Sequence, residues 1–157
     1  MPALLLRPAA PRDVPGLAAI RAAEWGGEDF WRLRLAGYLS CEHNPQQALR
    51  PRVIFVALED NVSVGFVGGH LTRRCGCDGE LQWINVVSGR RSSGIASALL
   101  RRLAAWFVER EAQRVCVDVD PDNIPARRFY ARHGAKDLNK HWMVWSNIKT
   151  ALDGPAA

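Results

Sequence analysis

The sequence predicts an α/β fold: a mixed, mostly antiparallel central sheet with helices on both faces, in the order β-α-α-β-β-β-α-β-α-β. Three observations predict it. Two runs of strand-forming residues, 53–59 and 62–72, are separated only by the turn pair Asp60-Asn61. A longer segment, 94–111, repeats Ile95, Leu99, Leu103 and Phe107 at the spacing of one helix face. Val115, Val117 and Val119 then alternate, as in a strand with one face buried.

The elements follow in order. Residues 3–7 are apolar and extended in character, a first strand that stops at Arg7-Pro8. Asp13 stands as the N-cap of a helix with Pro15 in its first turn, Leu17 and Ile20 on its apolar stripe, and Gly26-Gly27 at its end. A second helix is predicted over 30–39 and a polar, proline-bearing loop over 40–52. The hairpin of 53–59 and 62–72 leads through a turn at 75–79 to a strand over 80–87. The helix of 94–111, a strand over 114–119, a short helix over 124–132 and a final strand over 141–145 complete the order. Residues 1–150 are read as one domain and 151–157 as a flexible C-terminal tail.

Composition bounds the function. The chain of 157 residues is 48% hydrophobic and 24% charged, which suits a soluble domain with one well-filled core. No apolar run is long enough for a signal peptide or a membrane span, so the cytoplasm is expected and a membrane partner is not. The net charge of +5 fits a polyanionic ligand. The arginines are scattered in pairs, without a basic run, so nucleic acid is not the expected partner. The four cysteines and four histidines lack the spacing of a zinc site, and no metal is expected. Cys116 is read as a core residue on the strand carrying Val115 and Val117.

The chemistry concentrates in two segments. Arg91-Ser92-Ser93-Gly94-Ile95-Ala96 falls where a strand ends and a helix begins. A helix N-terminus offers unpaired N–H groups and a positive dipole end, which suit a pyrophosphate. Gly94 lets the main chain approach such a ligand, Ala96 keeps the first turn narrow, Arg90 and Arg91 add charge, and Ser92 and Ser93 can donate. The segment is not a nucleotide P-loop: Ile95-Ala96 stands where Lys-Ser/Thr is needed. The second segment is Asn123-Ile124-Pro125-Ala126-Arg127-Arg128-Phe129-Tyr130-Ala131-Arg132-His133-Gly134. Asn123 can cap the helix, Phe129 and Tyr130 lie within it, and Gly134 suits its end.

The first segment resembles the Arg/Gln-x-x-Gly-x-Gly/Ala signature of the GNAT acetyltransferases. The stretch from Val115 to Asn123, with Ala126, Phe129-Tyr130 and Gly134, resembles that family's second cofactor segment. The likeness spans 80–134 and is only architectural before Val53. It implies the GNAT fold, acetyl-CoA as cofactor, and transfer of an acetyl group to a primary amine of a small molecule or peptide by direct attack in a ternary complex. It also implies that Val86 and Val87, at the end of the strand before the loop, lie along the pantetheine arm, with an oxyanion donor near Val86. Asn123 matches a position that touches that arm; Phe129, read from the residues as core, is grouped with it among the cofactor-binding candidates. Tyr130 matches a tyrosine facing the sulfur; a phenol of pKa about 10 is protonated at neutral pH and can donate to a leaving thiolate. The other reading of Tyr130 is a half-buried structural tyrosine.

An ammonium must lose a proton before it attacks, and two carboxylates compete for that role. Glu80 lies six residues before Val86, a spacing that resembles the histone-modifying branch of the family. Asp118, twelve residues before Tyr130, resembles the base of the branch that acetylates ribosomal-protein N-termini. Water alone is the third option. On the acceptor side, Trp25, Glu28, Trp31 and Trp83 suit a cationic amine through charge and cation–π contacts, or else pack the helices. The alternative to an enzyme is an acyl-CoA-binding sensor or regulatory module of the same fold. Family members are often dimers, so a homodimer is an expectation by analogy.

Overall fold

Seven strands form one sheet in the spatial order β1-β2-β3-β4-β5-β7-β6. The strands are β1 (Leu4–Pro8), β2 (Ala48–Glu59), β3 (Val62–Thr72), β4 (Gly79–Val86), β5 (Val115–Asp118), β6 (Lys136–Asp137) and β7 (Trp142–Trp145). The helices are α1 (Val14–Glu24), α2 (Glu28–Ser40), α3 (Ile95–Glu109) and α4 (Ile124–Arg132). The computed structural model describes residues 3–154. Every neighbouring pair of strands is antiparallel except β4 and β5, which run parallel.

Alternation along β2 and β3 divides the core into two layers. Ile54, Val56, Leu58 and Phe66 face α1 and α2, meeting Leu17, Ala18, Leu35 and Tyr38. Phe55, Ala57 and Val67 face the opposite layer, where Leu99, Leu103 and Phe107 of α3 pack with Val115 and Val117. The β2–β3 turn is closed by Asp60 and Asn61, both at positive φ (50° and 64°), as a tight hairpin requires.

Three local differences from the sequence reading have physical causes. β2 begins at Ala48, inside the expected loop, because the register slips between Leu49 and Arg52 and accommodates Pro51 there. Asp13 sits at the N-cap position of α1 but makes no cap bond to it. Its carboxylate instead accepts from Arg7 Nη1 and Nη2 (2.8 and 2.9 Å) and from the Ala10 N–H (2.7 Å), tying β1 to the turn before α1. β6 is only two charged residues long and carries no alternation for a sequence reading to find.

At the C-terminus a 3-10 helix, Ile148–Asp153, runs past the boundary drawn at residue 150. Ile148 and Ala151 are buried in the α3 layer. Residues 155–157 of the expected tail lie outside the described residues.

Candidate active site

The site exists because β4 and β5 part. They pair only over Gly79–Leu81 against Val115–Val117. Just beyond, the β3–β4 register slips: Gly69 pairs with Leu81 and Gly68 with Trp83, leaving Gln82 as an extra residue. Such a bulge bends the strand that carries it. Its effect on side chains is direct: Leu81 packs in the α3 layer and Trp83, two residues on, packs against α1 and α2. Past the bulge β4 pairs with β3 alone. The Val87 N–H donates to Val64 O at 2.9 Å. Alternation along an antiparallel ladder then turns the main-chain groups of Val86 and Ile84 the other way, toward the gap. Val86 O is met there by Arg91 Nε at 3.4 Å.

A cavity of about 800 Å³ fills the gap on one side. Its walls include Ile84, Asn85 and Val86 of β4, the turn before α3, and Asn123, Phe129 and Tyr130 of the α4 segment. Gly94 has φ 85°, and a Cβ built there meets no atom within 4 Å, so the position faces open space. No side chain caps α3, and its first internal bond runs from the Ala98 N–H to Gly94 O at 3.0 Å. The N–H groups of the first turn are thus free for an anion. Arg90, Arg91, Ser92, Ile95 and Ala96 also line this cavity. Each arginine already has a carboxylate: Arg90 pairs with Glu59, and Arg91 with Glu24 at the end of α1. Val87 and Ser93 do not line it; the Ser93 hydroxyl donates to Arg90 O.

Asn123 caps α4, its Oδ1 accepting from the Ala126 N–H at 3.3 Å. The helix presents Tyr130 to the cavity, braced edge-on against Phe129 and Trp145 at centroid distances of 5.4 and 5.8 Å. Burial pushes the Tyr130 phenol well above its ordinary value, and the Arg21 guanidinium offsets part of that rise. The hydroxyl therefore holds its proton at every physiological pH.

A second cavity of about 510 Å³ lies across the gap and contains both Glu80 and Asp118. Glu80 is buried and engaged: Arg74 Nε donates to its Oε1 at 3.1 Å, and His70 Nε2 stands 3.7 Å away. His70 Nδ1 in turn meets the Tyr38 hydroxyl at 2.9 Å. Asp118 ends β5 at the surface and has no ion pair among the described residues. Partial burial of its carboxyl pushes its pKa up, opposed by His141 and aided by Glu80.

Of the four residues expected on the acceptor side, Trp83 lines both of these cavities and the other three line neither. Trp25 is 62% exposed, and Glu28 is solvated beside Arg32. Trp31 is buried, its Nε1 donating to Trp25 O at 2.6 Å, and it packs edge-on against Trp83. Trp25 and Trp31, edge-on to each other at 5.7 Å, hold the α1–α2 corner together. Sequence reasoning missed Arg21, Arg34 and Gln82. Arg21 and Gln82 line both cavities, and Arg34 lines the second. Their signal is faint: two arginines among many, and a glutamine whose position depends on the bulge.

The first cavity fits a diphosphate with an extended amide arm: free helix N–H groups, an unobstructed glycine, and an Asn85 Oδ1 buried without a partner. Comparison with known proteins points the same way. Residues 18–135 match the Acetyltransferase (GNAT) family. The chain is 30% identical over 122 residues to an uncharacterized N-acetyltransferase of Mycobacterium bovis, covering 78% of this chain and 72% of that protein. An equally similar uncharacterized N-acetyltransferase occurs in Mycobacterium tuberculosis. Among solved structures, an aminoglycoside N-acetyltransferase in complex with CoA superposes with a TM-score of 0.74 at 19% identity, covering 88% of this chain and 91% of that one. A PaiA N-acetyltransferase from Thermoplasma acidophilum in complex with coenzyme A gives 0.70 at 14% identity, covering 91% and 98%. At such identities these structures show the shared fold. The parted strands, the open helix tip and the matched sequence together make this chain a member of the GNAT acetyltransferase family, whose cofactor is acetyl-CoA.

Proposed function

We propose that the protein is an N-acetyltransferase that moves the acetyl group of acetyl-CoA to a primary amine of a small molecule or peptide, with both substrates bound at once. One observation carries this reading. Two cavities meet at Arg21, Gln82 and Trp83, with Tyr130 in the wall of one and Asp118 in the wall of the other. A proton donor and a proton acceptor thus flank the place where the strands part.

Acetyl-CoA, when bound, supplies a thioester whose C–S bond is exchanged for a C–N bond to the amine. The residues of the chain manage the rest. The first turn of α3 and Gly94 hold the diphosphate, and the outward main-chain groups of Ile84 and Val86 hold the amide arm. The Val86 N–H is the donor available to a developing oxyanion. Asp118 takes the proton from the amine nitrogen, and Tyr130 Oη gives one on the sulfur side, so that protons balance. Asp118 is preferred to Glu80 because Glu80 is already bound by Arg74, whereas Asp118 has no ion pair among the described residues and its basicity is raised by burial. Its basic form is lost as pH falls through that raised value, so activity has an acidic limb shifted upward from the ordinary aspartate value.

The test measures thiol release from acetyl-CoA across pH with polyamines, aminoglycosides, amino acids and short peptides. Asp118→Asn loses the acidic limb and on the order of a hundredfold in kcat. Glu80→Gln keeps the limb. The reverse pattern would move the role to Glu80. Binding of acetyl-CoA without thiol release for any amine would make the protein a binding module.

A further inference from the structure

The second cavity has the wrong charge for a polycation. Its acids are Glu80 and Asp118; its guanidinium groups are Arg21, Arg34 and Arg74. Glu80 and Arg74 are paired with each other at 3.1 Å and cancel. One carboxylate is left against two guanidinium groups. Arg21 and Arg34 have no acidic partner among the described residues. His43 does not take up the difference, because Arg34 Nη1 lies 3.0 Å from its Nε2 and donates to it. Burial, and then the charges of Arg34 and Arg52, hold the His43 imidazole below its ordinary value and keep it neutral.

Both arginines are held in place without being used up. The Arg21 guanidinium stacks over Trp31 at 4.8 Å, and that of Arg34 over Phe30 at 5.1 Å. Arg21 Nε is buried with no hydrogen-bond partner. A planar, stacked guanidinium is preorganised for bidentate capture of a carboxylate. The Gln82 amide oxygen is likewise buried and unpartnered, at the junction of the two cavities. It is an acceptor waiting for an N–H.

We propose that the acceptor is a small zwitterion, an amine that also carries a carboxylate, as a free amino acid does. Arg34 and Arg21 take the carboxylate, while the amine lies between Gln82 and Asp118. A purely cationic acceptor would face uncompensated repulsion there. This assignment rests on the transferase reading above.

The test compares each amino acid with its own carboxamide and its decarboxylated amine. Thiol release gives kcat/KM, and calorimetry gives binding of the same compounds to the protein with CoA present. At least one free amino acid is expected to exceed its amide and amine by about tenfold or more in both measurements. Arg34→Gln is expected to bring that ratio near one, and Arg34→Lys to restore it partly. Equal or better use of the amides and amines, or a ratio unchanged in Arg34→Gln, would overturn the zwitterion assignment and leave the transferase reading standing. No thiol release with any compound would remove both.

Discussion

Among single residues, Tyr130 bears most directly on the chemistry. It lines the first cavity, is only 6% exposed, and its hydroxyl has no hydrogen-bond partner in the protein among the described residues. Removing the oxygen leaves that packing intact, because Phe keeps the edge-on contacts with Phe129 and Trp145. Tyr130→Phe is therefore expected to lower kcat on the order of a hundredfold while leaving the dissociation constant for acetyl-CoA within about twofold, as read by calorimetry beside steady-state rates. Equal kcat for the two proteins would assign the phenol to structure alone. Asp13 shows a different lesson at this scale. The Arg7 guanidinium, helped by the Ala10 N–H, holds its carboxyl below the usual range against the opposing effect of burial. Its contribution to stability is complete above the unfolded value, near about pH 4, and disappears as pH falls through the lowered one. Asp13→Asn is expected to melt earlier than the wild type at neutral pH, with the gap closing in acid.

At the element scale, the helix tip of α3 is the part most open to a decisive change. Gly94 sits at φ 85°, where a β-branched residue is strained, and its missing Cβ points into free space. Gly94→Val is expected to fold, because an added Cβ meets no atom and the left-handed φ costs only local strain, yet to weaken CoA binding by at least about tenfold, since the methyls occupy the approach to the first turn. This tip was legible in the sequence because glycine spacing, a strand before and an amphipathic run after all agree. The α4 segment was legible for the same reason, with Asn123, Pro125 and Gly134 marking its limits. The acceptor side was not. Parity along 80–87 would put Leu81 and Trp83 on one face, and the bulge at Gln82 puts them on two. A register slip is a property of two strands together, so no local pattern in one of them announces it. Trp25 and Trp31 were open to two readings for a related reason. Their spacing fits a binding wall equally well as a packed corner, and only tertiary contacts choose between these.

At the scale of the whole molecule, the first cavity joins parts that the sheet otherwise separates. Arg21 and Glu24 come from α1 on one face, Ser97 and Tyr130 from α3 and α4 on the other, and β4 runs between. A ligand that touches all of them binds only the folded chain, so it stabilises both layers together. Saturating CoA at about one hundred times its dissociation constant is expected to add about 2.7 kcal/mol, seen as a rise of about 5–10 °C in Tm by scanning calorimetry. At the same CoA concentration the Gly94→Val protein should show about half of that rise or less. The pairing of Arg90 with Glu59 and of Arg91 with Glu24 has its own outcome at this scale. The loop greets an incoming diphosphate with its positive charge already spent, so discrimination there belongs to peptide dipoles and shape. A long polyanion, which is drawn by surplus charge alone, would find no bait at that door.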